Sequence, residues 1–305
     1  MSLLREKFSE TGLVSITSPS IVRDCATLLY DLWSAGVHLQ LLPINKSDAA
    51  LIANAMETLN NEERAQEGLL VISDFISTLI FKHAKEHRGN ISRLYDLAKH
   101  LQSFHSLLAN SCIQRHMRDV LDSLSLLMHK DSVGIRMDLP NEEAQLTKLH
   151  QEFHSFPFGI NAAVLWVPLT RIGRYSGTLS YFPRPHLSDP IPFSGDTDQQ
   201  DRLIVEGRLQ EAQKTGGLET NTNYLGQIQY LETKPGQCFI FSAVLPHSSV
   251  PADSMAKTAR LTCQARFFDL NDPYFVWKHR SGTLWDGLKR PTVGWQYWKD
   301  YKNEK

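Results

Sequence analysis

Apolar positions along the first 130 residues recur at helical spacing, with start and stop signals between the runs. Ser18-Pro19 predicts a helix through IVRDCATLLYDLWSAG, closed at Gly36. Asn45 to Ser47 caps a second over DAALIANAMETL, and a third runs through GLLVISDFISTLIFKHAKEH to Gly89. Asn90 precedes ISRLYDLAKHLQSFHSLLAN, where Ile91, Leu94, Leu97, Leu101 and Phe104 share a face, and CIQRHMRDVLDSLSLLMHK reads as one more helix.

Near residue 130 the pattern shortens. SVGIRMDLP, KLHQEF, NAAVLWVPLT, GTLSYFP, GQIQYLET, QCFIFSAVLPH and RLTCQARFFD are strand-like, rich in β-branched and aromatic residues and separated by turn formers. Short strands so spaced predict an antiparallel barrel or jelly roll. The fold class expected is α+β, an antiparallel barrel or jelly roll under an N-terminal helical layer. The chain then reads as one domain over 1–305, with helical support in 1–130, a catalytic core in 131–280 and an extension in 281–305. The polar stretch 184–223, with SGDTDQQDR and QKTGG, is a lid candidate because long structureless loops in compact domains tend to be functional.

Composition narrows the function classes. With 32 Lys+Arg against 33 Asp+Glu the net charge is −1, so no basic excess advertises a nucleic-acid partner. Four separated cysteines (Cys25, Cys112, Cys238, Cys263) form no zinc-ribbon or thioredoxin spacing and suit a reducing compartment. MSLLREKFSETG carries charges throughout and reads as no secretory signal, and no apolar run reaches the ~20 residues of a membrane span. The expectation is a cytoplasmic protein with a small-molecule substrate; the sequence leaves homo-oligomerisation open.

The chemistry concentrates in LHQEF. If that segment is a strand, His150 and Glu152 at i and i+2 share a face. His247, at the end of QCFIFSAVLPH, would complete the two-histidine, one-carboxylate triad of non-haem Fe(II) oxygenases. Arg260, thirteen residues later at the start of RLTCQARFFD, is positioned to grip the distal carboxylate of 2-oxoglutarate bidentately. Singly these residues have duller readings: a chance His-x-Glu, a turn histidine, a surface cation. Their order within the strand-like half is what makes them informative.

Residues 133–275 carry a family resemblance. IRMDLP, LHQEF, NAAVLWVPLTRIGRYSGTLSYFPRPH, KPGQCFIFSAVLPHSSVPADS, RLTCQARFFD and DPYF resemble, in order and spacing, the motif blocks of the phytanoyl-CoA dioxygenase-like (PhyH) branch of Fe(II)/2-oxoglutarate oxygenases. Glu152 stands for the commoner Asp, Ser176-Gly177 for Asn-Gly, and PRPH for PGSH. The resemblance implies Fe(II) on His150, Glu152 and His247, with 2-oxoglutarate and dioxygen as cosubstrates. It implies a double-stranded β-helix (cupin-like jelly roll) core and assigns Arg260 to the C5 carboxylate and Arg136 and Trp166 to the pocket; Asn161, in the third block, and Arg266, which alternates onto the face of Arg260, are candidate substrate contacts. Because the carboxylate ligand is present, hydroxylation is expected, on a small polar, sugar-like or carboxylated molecule.

A binding protein that kept the jelly roll without the iron is the principal alternative. A serine hydrolase lacks its elbow, since GRYSG (173–177) misplaces the serine. HAKEH, with His83, Glu86 and His87, matches a short metallopeptidase pattern but lies among Lys82, Lys85 and Arg88 at a helix end, so it reads as a solvated face. His100 and His105 read as surface residues.

Overall fold

The computed structural model describes residues 1–128, 133–142, 146–155, 159–191, 193–195, 216–218, 227–280 and 291–304. Most of the lid candidate, and residues 281–290 of the expected C-terminal extension, lie outside them. Six helices come first: α1 (Leu3–Thr11), α2 (Pro19–His38), α3 (Lys46–Thr58), α4 (Ala65–Ala98), α5 (Gln102–Leu108) and α6 (Ser111–Leu121), with strand β1 (Leu13–Ile16) between α1 and α2. The Ser18 side chain accepts from the Ile21 N–H and Asn45 from that of Asp48, so both predicted N-caps form.

Four boundaries differ, the first being the helix expected over 91–110, which breaks after Ala98 so that its second part is the separate α5. Gly36 does not end α2; it lets Leu42 approach, since a Cβ there would lie 2.8 Å from the Leu42 side chain. The break expected at Gly89 falls at His87, whose φ of −132° and ψ of 51° kink α4 instead of ending it. α6 stops at Leu121 because Asp122 turns left-handed (φ 48°), and Leu126–Met128 forms an edge strand, β2, where a continuous helix was predicted.

The remaining strands are β3 (Gly134–Asp138), β4 (Ala162–Pro168), β5 (Thr178–Tyr181), β6 (Phe193–Gly195), β7 (Gly216–Leu218), β8 (Gln229–Tyr230), β9 (Cys238–Ser242), β10 (His247–Val250) and β11 (Arg260–Asp269). Helices α7 (Glu152–Ser155), α8 (Pro273–Arg280) and α9 (Pro291–Glu304) complete the order. One antiparallel sheet runs β1-β9-β4-β11-β2, with β3 also on β11; a second runs β10-β5-β8. The run predicted as one strand, 237–247, is broken at Ala243–Pro246, where the chain leaves the first sheet (β9) for the second (β10).

β4 is buried along its whole length, which explains its unbroken apolar sequence. Ala163, Leu165 and Val167 join the helices in one core, together with Leu261, Cys263, Ala265 and Phe267 of β11. Val164 and Trp166 point the other way, between the sheets, onto Phe239, Phe241, Leu179 and Leu245. Alternation along β11 therefore sends Arg260, Thr262, Gln264 and Arg266 toward the barrel interior. Cys25, Cys238 and Cys263 are buried free thiols whose burial pushes them up, away from reactivity. Among the described residues no helix is long and apolar enough to cross a membrane.

Candidate active site

His150 and His247 meet through the backbone: each N–H donates to the other's carbonyl at 3.0 Å. Glu152 does not follow on a strand, as the i, i+2 argument required. It opens the helical turn α7, so its extra methylene reaches back toward the two rings. Its Oε1 lies 3.7 Å from Nε2 of His150 and 3.7 Å from Nε2 of His247. The rings are 4.3 Å apart, and the side chains of Glu152 and His247 are 6% exposed.

The histidines are prepared as ligands. Nδ1–H of His150 donates to the Lys148 carbonyl at 2.8 Å and that of His247 to the Leu245 carbonyl at 2.9 Å, so both Nε2 lone pairs face Glu152. Burial, and then the neighbouring His150, hold His247 below its ordinary value, favouring the neutral imidazole a metal requires. Burial pushes the Glu152 carboxyl up, but the Arg266 guanidinium and both histidines outweigh it, leaving the group well below the usual carboxylate range. Two imidazoles and one ionised carboxylate are the donor set of a facial triad with open positions. Among the described residues, this is the group of three such side chains whose ligand atoms converge, all within 4.8 Å; His83, Glu86 and His87 form no second one.

A second group of charges gathers where β11 begins beside β3. Arg260 donates from Nε and Nη2 to Asp138 Oδ2 at 3.1 and 2.7 Å, and from Nη1 to the Thr178 carbonyl at 2.8 Å. Arg136 donates to Asp138 Oδ1 at 2.8 Å and to Thr147 at 2.9 Å. Burial pushes Asp138 up, yet the two guanidiniums win and keep it below its ordinary value. The register sets this up, because Asp138 stands opposite Arg260 and Arg136 opposite Thr262. A cavity of about 160 Å³ reaches the pair, lined among others by Asn141, Ser176 and Ser254. Trp166 lies between the sheets, 5.9 Å from the Phe239 ring.

Two of the expected substrate residues have partners within the chain. The Asn161 amide donates to the Leu121 carbonyl and Asp269, and its Oδ1 accepts from His186 Nε2 at 2.9 Å, which ties α6 to β11. Arg266 is paired with Glu152. Sequence reasoning missed Asp138, which shares the inward face of Arg136, and Tyr181, which stands opposite His247 and donates to Gln229. The alternation of IRMD could have found Asp138; cross-strand register, which no single sequence displays, was needed for Tyr181.

His186 is the half-buried partner in that network. It accepts at Nδ1 from Ser242, and burial pushes it down to about 3. The neutral ring stabilises the fold fully above the unfolded value near 6.5, and that stability is lost as pH falls toward 3. At pH 5 the loss is about 2 kcal/mol. A His186→Gln variant is expected to lose about 2 kcal/mol less than the parent between pH 7.5 and pH 5 in urea titrations.

A jelly roll that sets two histidines and one carboxylate at one end of its paired sheets has the architecture of a non-haem iron oxygenase. The phytanoyl-CoA dioxygenase (PhyH) family profile matches residues 53–259, more than half of the chain. The chain belongs to that family, whose members are Fe(II)/2-oxoglutarate-dependent oxygenases, and the three converging side chains fit the iron. No curated protein gives a significant match. Among solved structures, the non-haem monooxygenase ThoJ in its apo form is 11% identical, with 99% of this chain and all of that one covered at a TM-score of 0.50, a likeness of fold. The epimerase SnoN from nogalamycin biosynthesis, in complex with Fe3+ and α-ketoglutarate, is 14% identical (87% and 82% covered, TM-score 0.47). EctD from S. alaskensis with 2-oxoglutarate and 5-hydroxyectoine is 13% identical (89% and 77% covered, TM-score 0.46).

Proposed function

We propose that the protein is a hydroxylase in which His150, Glu152 and His247 hold Fe(II) and Arg260 receives the distal carboxylate of 2-oxoglutarate. The observation that carries this reading is the pair of Nε2 atoms equidistant from Glu152 Oε1, each imidazole fixed by its own backbone carbonyl. When bound, iron with 2-oxoglutarate and dioxygen would supply the oxidative conversion of C–H to C–OH, one oxygen atom entering the product and the other the succinate formed, with CO2, from 2-oxoglutarate.

The chain's residues do the rest. Arg260 bonds to the Thr178 carbonyl, and Thr178 is three residues below Tyr181, the cross-strand partner of His247. That is about 10 Å along the sheet, a span suited to a five-carbon dicarboxylate chelating at its other end. Arg260, held on Asp138 and the Thr178 carbonyl, presents a fixed guanidinium whose planar fork suits an incoming carboxylate. Trp166, Phe239 and Phe241 form the apolar wall that keeps water from the interior. We read residues 1–130 as buttress to a single oxygenase domain, because their apolar faces share one core with the outer face of the larger sheet.

Hydroxylation follows from the retained carboxylate ligand, and a small polar or saccharide-type substrate suits a chain of net charge −1. The test is consumption of 2-oxoglutarate by the Fe(II)-loaded protein under air across a panel of sugars, amino acids and hydroxy acids. Stimulation by one class, with a hydroxylated product, is expected; no turnover with any member would contradict the proposal.

A further inference from the structure

We propose that Arg266 is a positioning residue for the metal: its guanidinium fixes the plane of the Glu152 carboxylate and presents Oε1 to the ion. The inference rests on the metal reading above and adds a residue to it.

Arg266 donates from Nε to Oε2 at 3.2 Å and from Nη2 to Oε1 at 2.7 Å, so both carboxylate oxygens are engaged by one planar fork. Oε1 is also the oxygen that faces both imidazoles. Glu152 needs such a restraint. It begins a four-residue helical turn, and its carboxylate sits at the end of three rotatable bonds rather than on a rigid strand. The fork is itself held, because Nη2 also donates to Gln264 Oε1 at 3.1 Å, two residues back on the same face of β11. β11 pairs with both β4 and β3, which makes it a stiff base for the arrangement. Burial adds force: the two side chains are 14% and 6% exposed, so water cannot replace a lost partner.

Charge alone does not account for this geometry. A lysine would keep Glu152 ionised but offers a point charge without a plane, leaving Oε1 free to rotate away from the histidines. The orientation claim and a simple ion-pair claim therefore separate in the Lys variant.

The test uses Co(II) as probe, titrated anaerobically into the full-length protein and followed by calorimetry and by the visible d–d absorption, with melting curves to confirm folding. Parent protein is expected to bind one Co(II). Arg266→Met should weaken binding about 10- to 100-fold, the usual effect of losing a hydrogen-bonded support behind a ligand. Arg266→Lys should weaken it too and shift the absorption band. In Glu152→Ala, acetate should restore Co(II) binding, because it replaces the deleted carboxymethyl group on the freed fork; in Glu152→Ala/Arg266→Met it should not. Unchanged affinity in Arg266→Met, a normal Arg266→Lys, or acetate rescue in the double variant would each overturn the proposal. Parent protein that binds no Co(II) would instead overturn the metal reading beneath it.

Discussion

Glu152→Ala is expected to lose metal binding and to unfold more readily, two effects with separate causes. Without the carboxylate, two imidazoles alone face the ion, and 2-oxoglutarate consumption should fall at least about 1000-fold, equivalent to ~4 kcal/mol at 1.36 kcal/mol per decade. Stability falls because the part-buried Arg266 loses the Glu152 carboxylate that both arms of its fork bond, a change that costs about 3 kcal/mol in the metal-free protein. His247→Ala provides the contrast. It removes a neutral ring that burial already disfavours in its charged form, so turnover should collapse equally while metal-free stability drops by less. Chemical denaturation of both variants beside iron-binding stoichiometry checks this. A Glu152→Ala protein that retains one tightly bound Fe(II) would contradict the ligand assignment.

Arg260→Met is expected to raise the KM for 2-oxoglutarate about 100-fold, the loss of one bidentate charge-assisted pair of ~3 kcal/mol. It also leaves Asp138 with Arg136 alone, and stability should fall by about 3 kcal/mol. Asp138 titrates below its ordinary value, so the stability it contributes is complete above about pH 3.8 and lost as pH falls through the lower folded value. The variant should therefore show a shallower acid limb. Arg260→Met/Asp138→Leu separates the two roles, because replacing both buried charges by apolar groups is often neutral. Stability should return while the KM stays high. If the double variant regained ordinary affinity for 2-oxoglutarate, Arg260 would be structural only.

Much of this was legible in the sequence, though not always for the reason first given. The switch from period 3.6 to short strands located the sheets, while the burial of β4 on both faces emerged only with the structure. His150, Glu152 and His247 converge as expected, yet the strand argument for LHQEF fails. The partners are made by a single backbone bridge and a helical turn, and the longer glutamate suits the turn. Alternation placed Arg260 and Arg266 on one face correctly. Their partners were invisible, because Asp138 opposite Arg260 is a statement about cross-strand register and Glu152 beside Arg266 one about tertiary approach. The partners of Asn161 were equally invisible: its amide holds α6 and His186 to the sheet.

The most direct test of the central claim is an anaerobic titration of the metal-free protein with Fe(II) and then 2-oxoglutarate, followed by visible absorption. One equivalent of iron should bind, and 2-oxoglutarate should raise a charge-transfer band in the parent and in His186→Gln but in neither Glu152→Ala nor His247→Ala. No band in the parent, or the same band in the two ligand variants, would contradict the account.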